Sequence, residues 1–596
     1  MKISAYAVSV ARIEAAYERV LESCRRQGIG KIAITASMTG KLMGDPSAMR
    51  RMRERLEADG IAVFGLVYGI GHPAMASYYA GKSMPPDPLP FYKGVGIEAN
   101  WRAAAPLPRG WRYAANEFGY PVFCCACPDD ACLTGNAQIF RQLAKVFDEI
   151  WLDDDFRIDG DQGAGTPTGS TASCYCDHCV AELSARVGRM MRRDEVVKDP
   201  ALHEAFIAMK VDRLTAIWNA VCRAGREVNP GLKMGLMVRW GGEERDGIDI
   251  ARLLHGFKGD VRVRAGEGHF GAAEYGVPEG PVQSHLSVSH HIGWLPPEVD
   301  VLSETTYFDG IRHEDIRKKI ALAIAAGVRE ISYCPCVEDW IGHQDFLEAD
   351  ETEIAQWAEA FGDRRRLVNP VVILRTPAAG RGDCQPVQRA RDRLIFPWFN
   401  LAGIGAIVTR TPPSKPDGAR VVVVTGRTAL DVPDEWIEGV TVVLDGAALI
   451  LHSPLRRRLG IATAEPKEGG RVAFGPPGAW TADGHLFTRP GWVVIPYVWQ
   501  DVPAGARDAV LSDIRRVIGP LTGAPTLSGD VDVFLAASDT TDGQAILLVN
   551  LTQESRCVAV VLPDKGAQLS TWDGAWVSND IALEPDAIRL MRMKPF

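Results

Sequence analysis

No stretch of eighteen apolar residues occurs in this 596-residue chain, so no segment reads as a membrane-spanning helix. The first twenty residues, from Met1-Lys2-Ile3-Ser4, lack the apolar core and small-residue cleavage site of an export signal. Cationic excess is missing too. The 66 basic residues against 75 acidic ones leave a net charge of −9, which argues against nucleic acid or an anionic membrane surface as the partner. There is no internal repeat and no low-complexity tract, and no Gly-x-Gly-x-x-Gly turn follows the first apolar run. Without an export signal, thirteen cysteines point to thiols and metal rather than a disulfide framework, and the cytoplasm is the expected compartment. What remains is an ordinary globular composition, 46% hydrophobic and 24% charged, in a chain too long for one core. About three domains are expected.

Residues 1–364 alternate between short apolar runs and stretches with the 3.6-residue period of amphipathic helices. Strands are predicted at 3–8, 31–37, 61–68, 149–154, 233–239, 260–265, 300–305 and 329–334, with a further short run at 121–125. Helices are predicted between most of them, notably at 46–58, 134–147, 199–227, 247–256, 313–327 and 350–361. Continuous apolar runs are buried on both faces, as parallel strands are, so the alternation predicts a (β/α)8 TIM barrel with its chemistry at the C-terminal strand ends. Two long loops, 69–120 and 156–180, would lie on that face. After Arg364 the texture changes. Short strands at 370–374, 405–409, 421–425 and 441–444, with a helical pattern near 385–402, predict a smaller open α/β domain. From residue 466 strands dominate around one helix near 506–518, predicting an antiparallel β-sandwich. The expected domains are therefore 1–364, 365–465 and 466–596.

Two features within about thirty residues carry the chemistry. The strand at 149–154 runs into three carboxylates, Asp153, Asp154 and Asp155; alternation sends Asp153 and Asp155 to one side and Asp154 to the other. Cys174, Cys176 and Cys179 follow in Cys-x-Cys-x-x-Cys spacing, which three thiolates can close on one metal. A tetrahedral zinc wants a fourth soft ligand, and Cys124, Cys125, Cys127 and Cys132 are the nearest donors. Cys127, just before Pro128 where the chain leaves its strand, is the expected one. Four thiolates leave no open position, so such a site is structural; an iron–sulfur cluster is the other metal reading. A second strand-end carboxylate, Glu304 in Ser303-Glu304-Thr305-Thr306, offers the partner a glycosidase needs. Glu267, Glu338 and Asp339 compete with it. Trp101, Trp111, Trp240, Trp294, Trp340 and Tyr307 fall in loops or at strand ends, where aromatic faces can stack on sugar rings. His285, His290 and His291 precede the seventh strand and could bind hydroxyls or a metal.

The combination of a barrel, a Cys-Tyr-Cys-x-x-Cys cluster after the fourth strand, an open α/β domain and a small β domain resembles glycoside hydrolase family 42. That family contains β-galactosidases of a clan of retaining barrel hydrolases. The resemblance implies zinc on Cys127, Cys174, Cys176 and Cys179. It lays Asp153-Asp154-Asp155 over the family's Asp-Asn-Glu, so Asp155 takes the place of the acid/base and Asp154 that of the Asn, and Glu304 matches the nucleophile. Asp155 is one methylene shorter than the family's Glu. Substrate contacts are expected from Asp153, Asp154, Arg157, Trp240, Glu267, His269, Tyr307, Glu338 and Trp340. The middle domain resembles a flavodoxin or glutamine-amidotransferase fold, without a nucleophilic Cys after Val421–Val424; in the family it mediates trimer formation, so a homo-oligomer, trimer or dimer, is implied. The reading is a retaining glycoside hydrolase acting on a small glycoside or oligosaccharide. Two others stand beside it: a carbohydrate-binding protein on the same fold that has lost the chemistry, and a divalent-metal-dependent hydrolase or lyase using the aspartate cluster.

Overall fold

Eight apolar runs in the first 334 residues pair edge to edge as parallel strands: β1 Lys2–Val8, β2 Ile29–Met38, β3 Ala62–Tyr68, β4 Glu149–Leu152, β5 Lys233–Met237, β6 Val261–Ala265, β7 Asp300–Thr306 and β8 Glu330–Cys334. Each pairs with its successor, and β1 pairs with both β2 and β8, so the sheet closes on itself. The ninth strand of this sheet, Lys41–Leu42, is a short hairpin on β2. The computed structural model describes residues 2–26, 28–70, 107–115, 119, 121–153, 156, 174–238, 247–254, 260–266, 272–293, 295–296, 299–306, 312–334, 346–376, 394–410, 418–475, 480–564 and 566–594. The run at 121–125 is not a barrel strand. Residues Pro121–Ala126 form an antiparallel hairpin with Tyr113–Ala115 above the barrel, where a proline at the strand start costs no ladder bond.

The period-two alternation of each strand sorts its side chains. Ile150 and Leu152 of β4, or Val261 and Val263 of β6, join the core under the surrounding helices. Inward residues stack in layers drawn from alternate strands, as barrel geometry requires. The lowest layer is charged: Lys31 of β2, Glu149 of β4, Arg262 of β6 and Glu330 of β8. Lys31 lies 2.7 Å and Arg262 3.4 Å from Glu149, and Arg262 also lies 2.5 Å from Glu330. Asp300 at the start of β7, 3.2 Å from Arg262, adds a third anion, so both cations are matched. Above it Trp151 donates from Nε1 to Glu149 at 2.6 Å, and its ring fills the space beside Gly235 of β5. A Cβ on Gly235 would stand 1.8 Å from that ring.

Helices α1 Asp130–Leu143, α2 Asp177–Val187, α3 Pro200–Val228, α4 Glu279–Ile292 and α5 His313–Ala325 follow their strands. The middle sheet places β9 Val371–Arg375, β10 Ala406–Arg410, β11 Val421–Val424, β12 Thr441–Asp445 and β13 Trp492–Ile495 in the order β10-β9-β11-β12-β13, all parallel. This is the flavodoxin-like winding. Two antiparallel strands, Thr481–Asp483 and Leu486–Arg489, extend its edge. The expected boundary at 465 therefore falls inside this sheet, which runs to Ile495. An apolar run such as Trp-Val-Val-Ile reads alike in a sandwich and in a parallel centre; its pairing with β12 decides. Helix α6 Ala504–Thr522 then leads to a six-stranded and a three-stranded antiparallel sheet, which enclose Leu535, Ile546, Val558 and Met591 between them. The other face of the larger sheet, through Phe534, Leu547 and Val549, packs into the barrel's helical core.

Candidate active site and metal centre

Glu304 ends the apolar part of β7. Its neighbour Ser303 faces outward, where it accepts from the Nζ of Lys319 on α5 at 2.9 Å, so Glu304 faces into the barrel at the C-terminal mouth. Register sets Leu302 of β7 opposite Arg264 of β6, which puts Arg264 on the same inner face. The Arg264 guanidinium is 1% exposed and lies 3.1 Å from the Glu304 carboxylate, which is 14% exposed. On β4 the inward series Glu149, Trp151 continues to Asp153, which is buried at the same end of the barrel. The structure thus brings Glu304 and Asp153 to one mouth, on the seventh and fourth strands. Asp154, Asp155, Arg157, Trp240, Glu267, His269, Tyr307, Glu338 and Trp340 lie outside the described residues, as do Trp101, Trp294 and Asp339.

Arg264 was not singled out by the sequence, although the signal is there. The run Val261-Arg262-Val263-Arg264-Ala265 alternates valine with arginine, and in a barrel strand one of those faces is the interior.

The four cysteines Cys127, Cys174, Cys176 and Cys179 converge, with all their sulfurs within 4.8 Å of one another. Cys127 follows directly on the strand Pro121–Ala126; Cys176 is the residue before α2, and Cys179 sits in its first turn. Cys127 Sγ is 3.6 Å from Cys176 Sγ and 3.4 Å from Cys179 Sγ. Sulfurs arranged tetrahedrally at ~2.3 Å from a zinc ion stand ~3.8 Å apart, so the donor set fits a closed four-thiolate site. Cys132 is buried elsewhere, beside the Asn136 amide, whereas Cys125 lies in the small core around the four cysteines without joining their converging sulfurs. Beneath the cluster, Lys210 of α3 is completely buried and donates from Nζ to Cys179 at 2.7 Å. Burial alone would lower the Lys210 ammonium, but the thiolates beside it, Cys179 first, raise it above its usual range. Cys179 is pulled far below the ordinary thiol value by hydrogen bonds from Cys127, Cys174 and Cys176, with Lys210 adding to the effect. A small separate core of Tyr175, Leu183, Val196, Phe206 and Met209 surrounds the group. Lys210 was not legible in the sequence, where it reads as one more polar residue of a long helix.

The histidine expectation is corrected. His285, His290 and His291 lie on α4, buried on the outside of the barrel rather than in its mouth. There α4 packs on α5 and on the middle domain: His285 Nδ1 is 2.9 Å from the Leu322 carbonyl of α5, and Val408 of β10 donates its backbone N–H to Ser289. Trp111 is likewise a packing residue, its ring laid against Gly40 and Gly135. In the middle domain the turn after β11 is Thr425-Gly426-Arg427. Its Gly426 N–H is already taken by Asp445, a buried carboxyl at the end of β12 that desolvation raises to about 7.

No protein-family model and no curated protein matches this sequence. Solved structures do match in fold. A catalytic mutant of Gan42B, a GH42 β-galactosidase from G. stearothermophilus, superposes with a TM-score of 0.66 at 10% identity, covering 99% of this chain and 98% of that one. A cold-adapted β-galactosidase from Rahnella sp. R3 gives 0.63 at 11%, covering 100% and 98%. The GH42 exo-carrageenase from Bacteroides ovatus gives 0.52 at 12%, covering 100% and 80%. Over its whole length, at 10–12% identity to these structures, the chain has the fold of the glycoside hydrolase family 42 enzymes.

Proposed function

We propose that this protein is a retaining glycoside hydrolase acting on a small, β-galactoside-like glycoside or oligosaccharide. The observation that carries the reading is Glu304, an inward carboxylate at the C-terminal end of the seventh barrel strand, ion-paired to a buried arginine. Chemistry in such barrels sits at that end, and an acid there is costly to bury without a task. In the proposed reaction a Glu304 oxygen attacks the anomeric carbon while Asp155 gives its proton to the departing oxygen. Water then attacks the same carbon, Asp155 takes the water's proton, and the bond to Glu304 breaks to restore the carboxylate. Asp153 and Asp154 would contact the sugar, as would Arg157, Trp240, Glu267, His269, Tyr307, Glu338 and Trp340.

Cys127, Cys174, Cys176 and Cys179 would hold a zinc ion with no position left for substrate, and the metal would brace the segment after β4 against the hairpin before it. We place the protein in the cytoplasm. The nine cysteines whose side chains are described are free, and no helix among the described residues is long and apolar enough to cross a membrane. A homo-oligomer is part of the proposal.

The test is a screen of nitrophenyl glycosides with the wild-type protein, Glu304→Gln and Asp155→Asn. Hydrolysis by the wild type, lost about 10³-fold or more in Glu304→Gln, is expected. Unchanged turnover in both variants would sink the assignment. The aspartate at position 155, where a family 42 acid/base is Glu, favours a second reading: tight sugar binding without turnover would make this a binding protein. Activity lost to a chelator while the cysteine-bound metal is retained would point instead to a metal-dependent hydrolase or lyase.

A further inference from the structure

We infer that Arg264 is the positioning residue for Glu304, and that its role is to drive the second half of the reaction. This rests on the reading of Glu304 as the nucleophile. Barrel interiors are ordinarily filled by branched apolar side chains, and a buried arginine carries a desolvation cost that such a side chain would not. Arg264 is not part of the charged barrel floor. Arg262, two residues earlier, already answers Glu149 and Glu330, with Asp300 at the rim 3.2 Å away. Arg264 stands instead near the top, 3.1 Å from the carboxylate proposed to attack. Among the described residues, Ser332 lies opposite Glu304 on β8, and Asp153 faces inward from β4 at the same mouth.

The consequence follows from charge. While Glu304 is a free carboxylate, the ion pair is intact. When its oxygen is bound to the anomeric carbon it is a neutral ester, and Arg264 loses that charge partner inside the barrel. Water attack at the anomeric carbon breaks the ester bond, returns the electron pair to Glu304 and restores the pair. Arg264 therefore stabilises the products of deglycosylation over the covalent intermediate, and it holds one Glu304 oxygen in place for the first attack.

The experiment uses the full-length protein and an aryl glycoside with a good leaving group that the wild type hydrolyses. It compares Arg264→Met and Arg264→Lys, with Glu304→Gln as the control for the underlying reading. In Arg264→Met we expect kcat to fall about 10²-fold, the size typical of losing one electrostatic support. KM should fall with it, because the glycosyl-enzyme accumulates, and a pre-steady-state burst should appear. The acidic limb of kcat/KM should move to higher pH, and Arg264→Lys should recover most of both effects. An Arg264→Met protein with unchanged kcat and an unmoved acidic limb overturns the inference, as does a rise in KM alone. Full turnover by Glu304→Gln overturns the underlying reading, and the inference with it, whereas an inactive Glu304→Gln leaves the Arg264 variants to decide. If Arg264→Met fails to fold, Arg264→Gln, neutral and of similar volume, is judged by the same criteria.

Discussion

At the scale of single residues, Lys210 shows how strongly one buried charge constrains its surroundings. Its ammonium has no exposure, and it sits 2.7 Å from the Cys179 sulfur. A four-thiolate zinc site carries two net negative charges, and a cation in contact with one sulfur halves that. Lys210→Met is therefore expected to lose zinc at least ~10-fold faster to a competing chelator, and Cys127→Ser to retain less than stoichiometric metal. Metal content by mass spectrometry under a chelator challenge reads both; wild-type retention in Lys210→Met would remove the lysine from the site. The cysteines were legible beforehand because close thiol spacing has few other uses. Lys210 and Arg264 were not, since a charge becomes informative only once its burial is known. The three histidines misled for the matching reason: they are polar but serve packing, and nothing in a lone histidine says which way its helix faces.

Among elements, the barrel strands were read nearly to the residue, because a strand covered on both faces must be apolar throughout. Lys31, Glu149, Arg262 and Glu330 fall at or near strand starts, where a floor of charges replaces an apolar layer, and Arg264 and Glu304 depart from the pattern towards the opposite end. Gly235 serves the layer above that floor. Gly235→Ala should force Trp151 from its place and cost roughly 1–3 kcal/mol of stability, read by chemical denaturation. A cost under ~0.5 kcal/mol would mean that the ring moves freely. Helix α4 was missed because Glu279-Gly280-Pro281 obscures its start and it is buried nearly all round, which erases amphipathic periodicity. Burial lowers its His285 from 6.5 to about 4. The unfolded chain therefore binds more protons between those values. The histidine's contribution to stability is full above pH 6.5, falls as the pH drops, and is lost by about pH 4, a change of roughly 3 kcal/mol. Unfolding followed at pH 7 and pH 4.5 should show a smaller pH dependence in His285→Gln than in the wild type. Equal dependence would place the proton uptake elsewhere.

For the whole molecule, the C-terminal sheets are fastened to the barrel by ion clusters that the sequence did not reveal, because the partners that reach the barrel lie more than two hundred residues away. Asp586 receives Arg312, the residue before the barrel's α5, at 2.8 Å and Lys318 of α5 at 2.7 Å, and Asp532 joins Arg507 of α6, which also reaches Glu279 of α4. Both aspartates have positive φ, 56° and 63°, which Asn tolerates as well. Asp586→Asn keeps that conformation and removes the charge, leaving Asp315 as the ion-pair partner of Lys318 among the described residues. It should cost about 2–3 kcal/mol and separate the melting of the C-terminal sheets from that of the barrel. A single unshifted calorimetric transition would count against that coupling. The order of domains was legible from the texture of the chain, but the boundary at 465 was not, since β13 joins its sheet only after the excursion at 446–491.

The claim that matters most is that Glu304 is the nucleophile, and covalent trapping addresses it directly. The protein would be incubated with the 2-deoxy-2-fluoro aryl glycoside of the sugar it hydrolyses, then digested and mapped by mass spectrometry. The account predicts one stoichiometric glycosyl adduct on Glu304. An adduct on another carboxylate, or steady turnover with no adduct and product of inverted configuration, would contradict it.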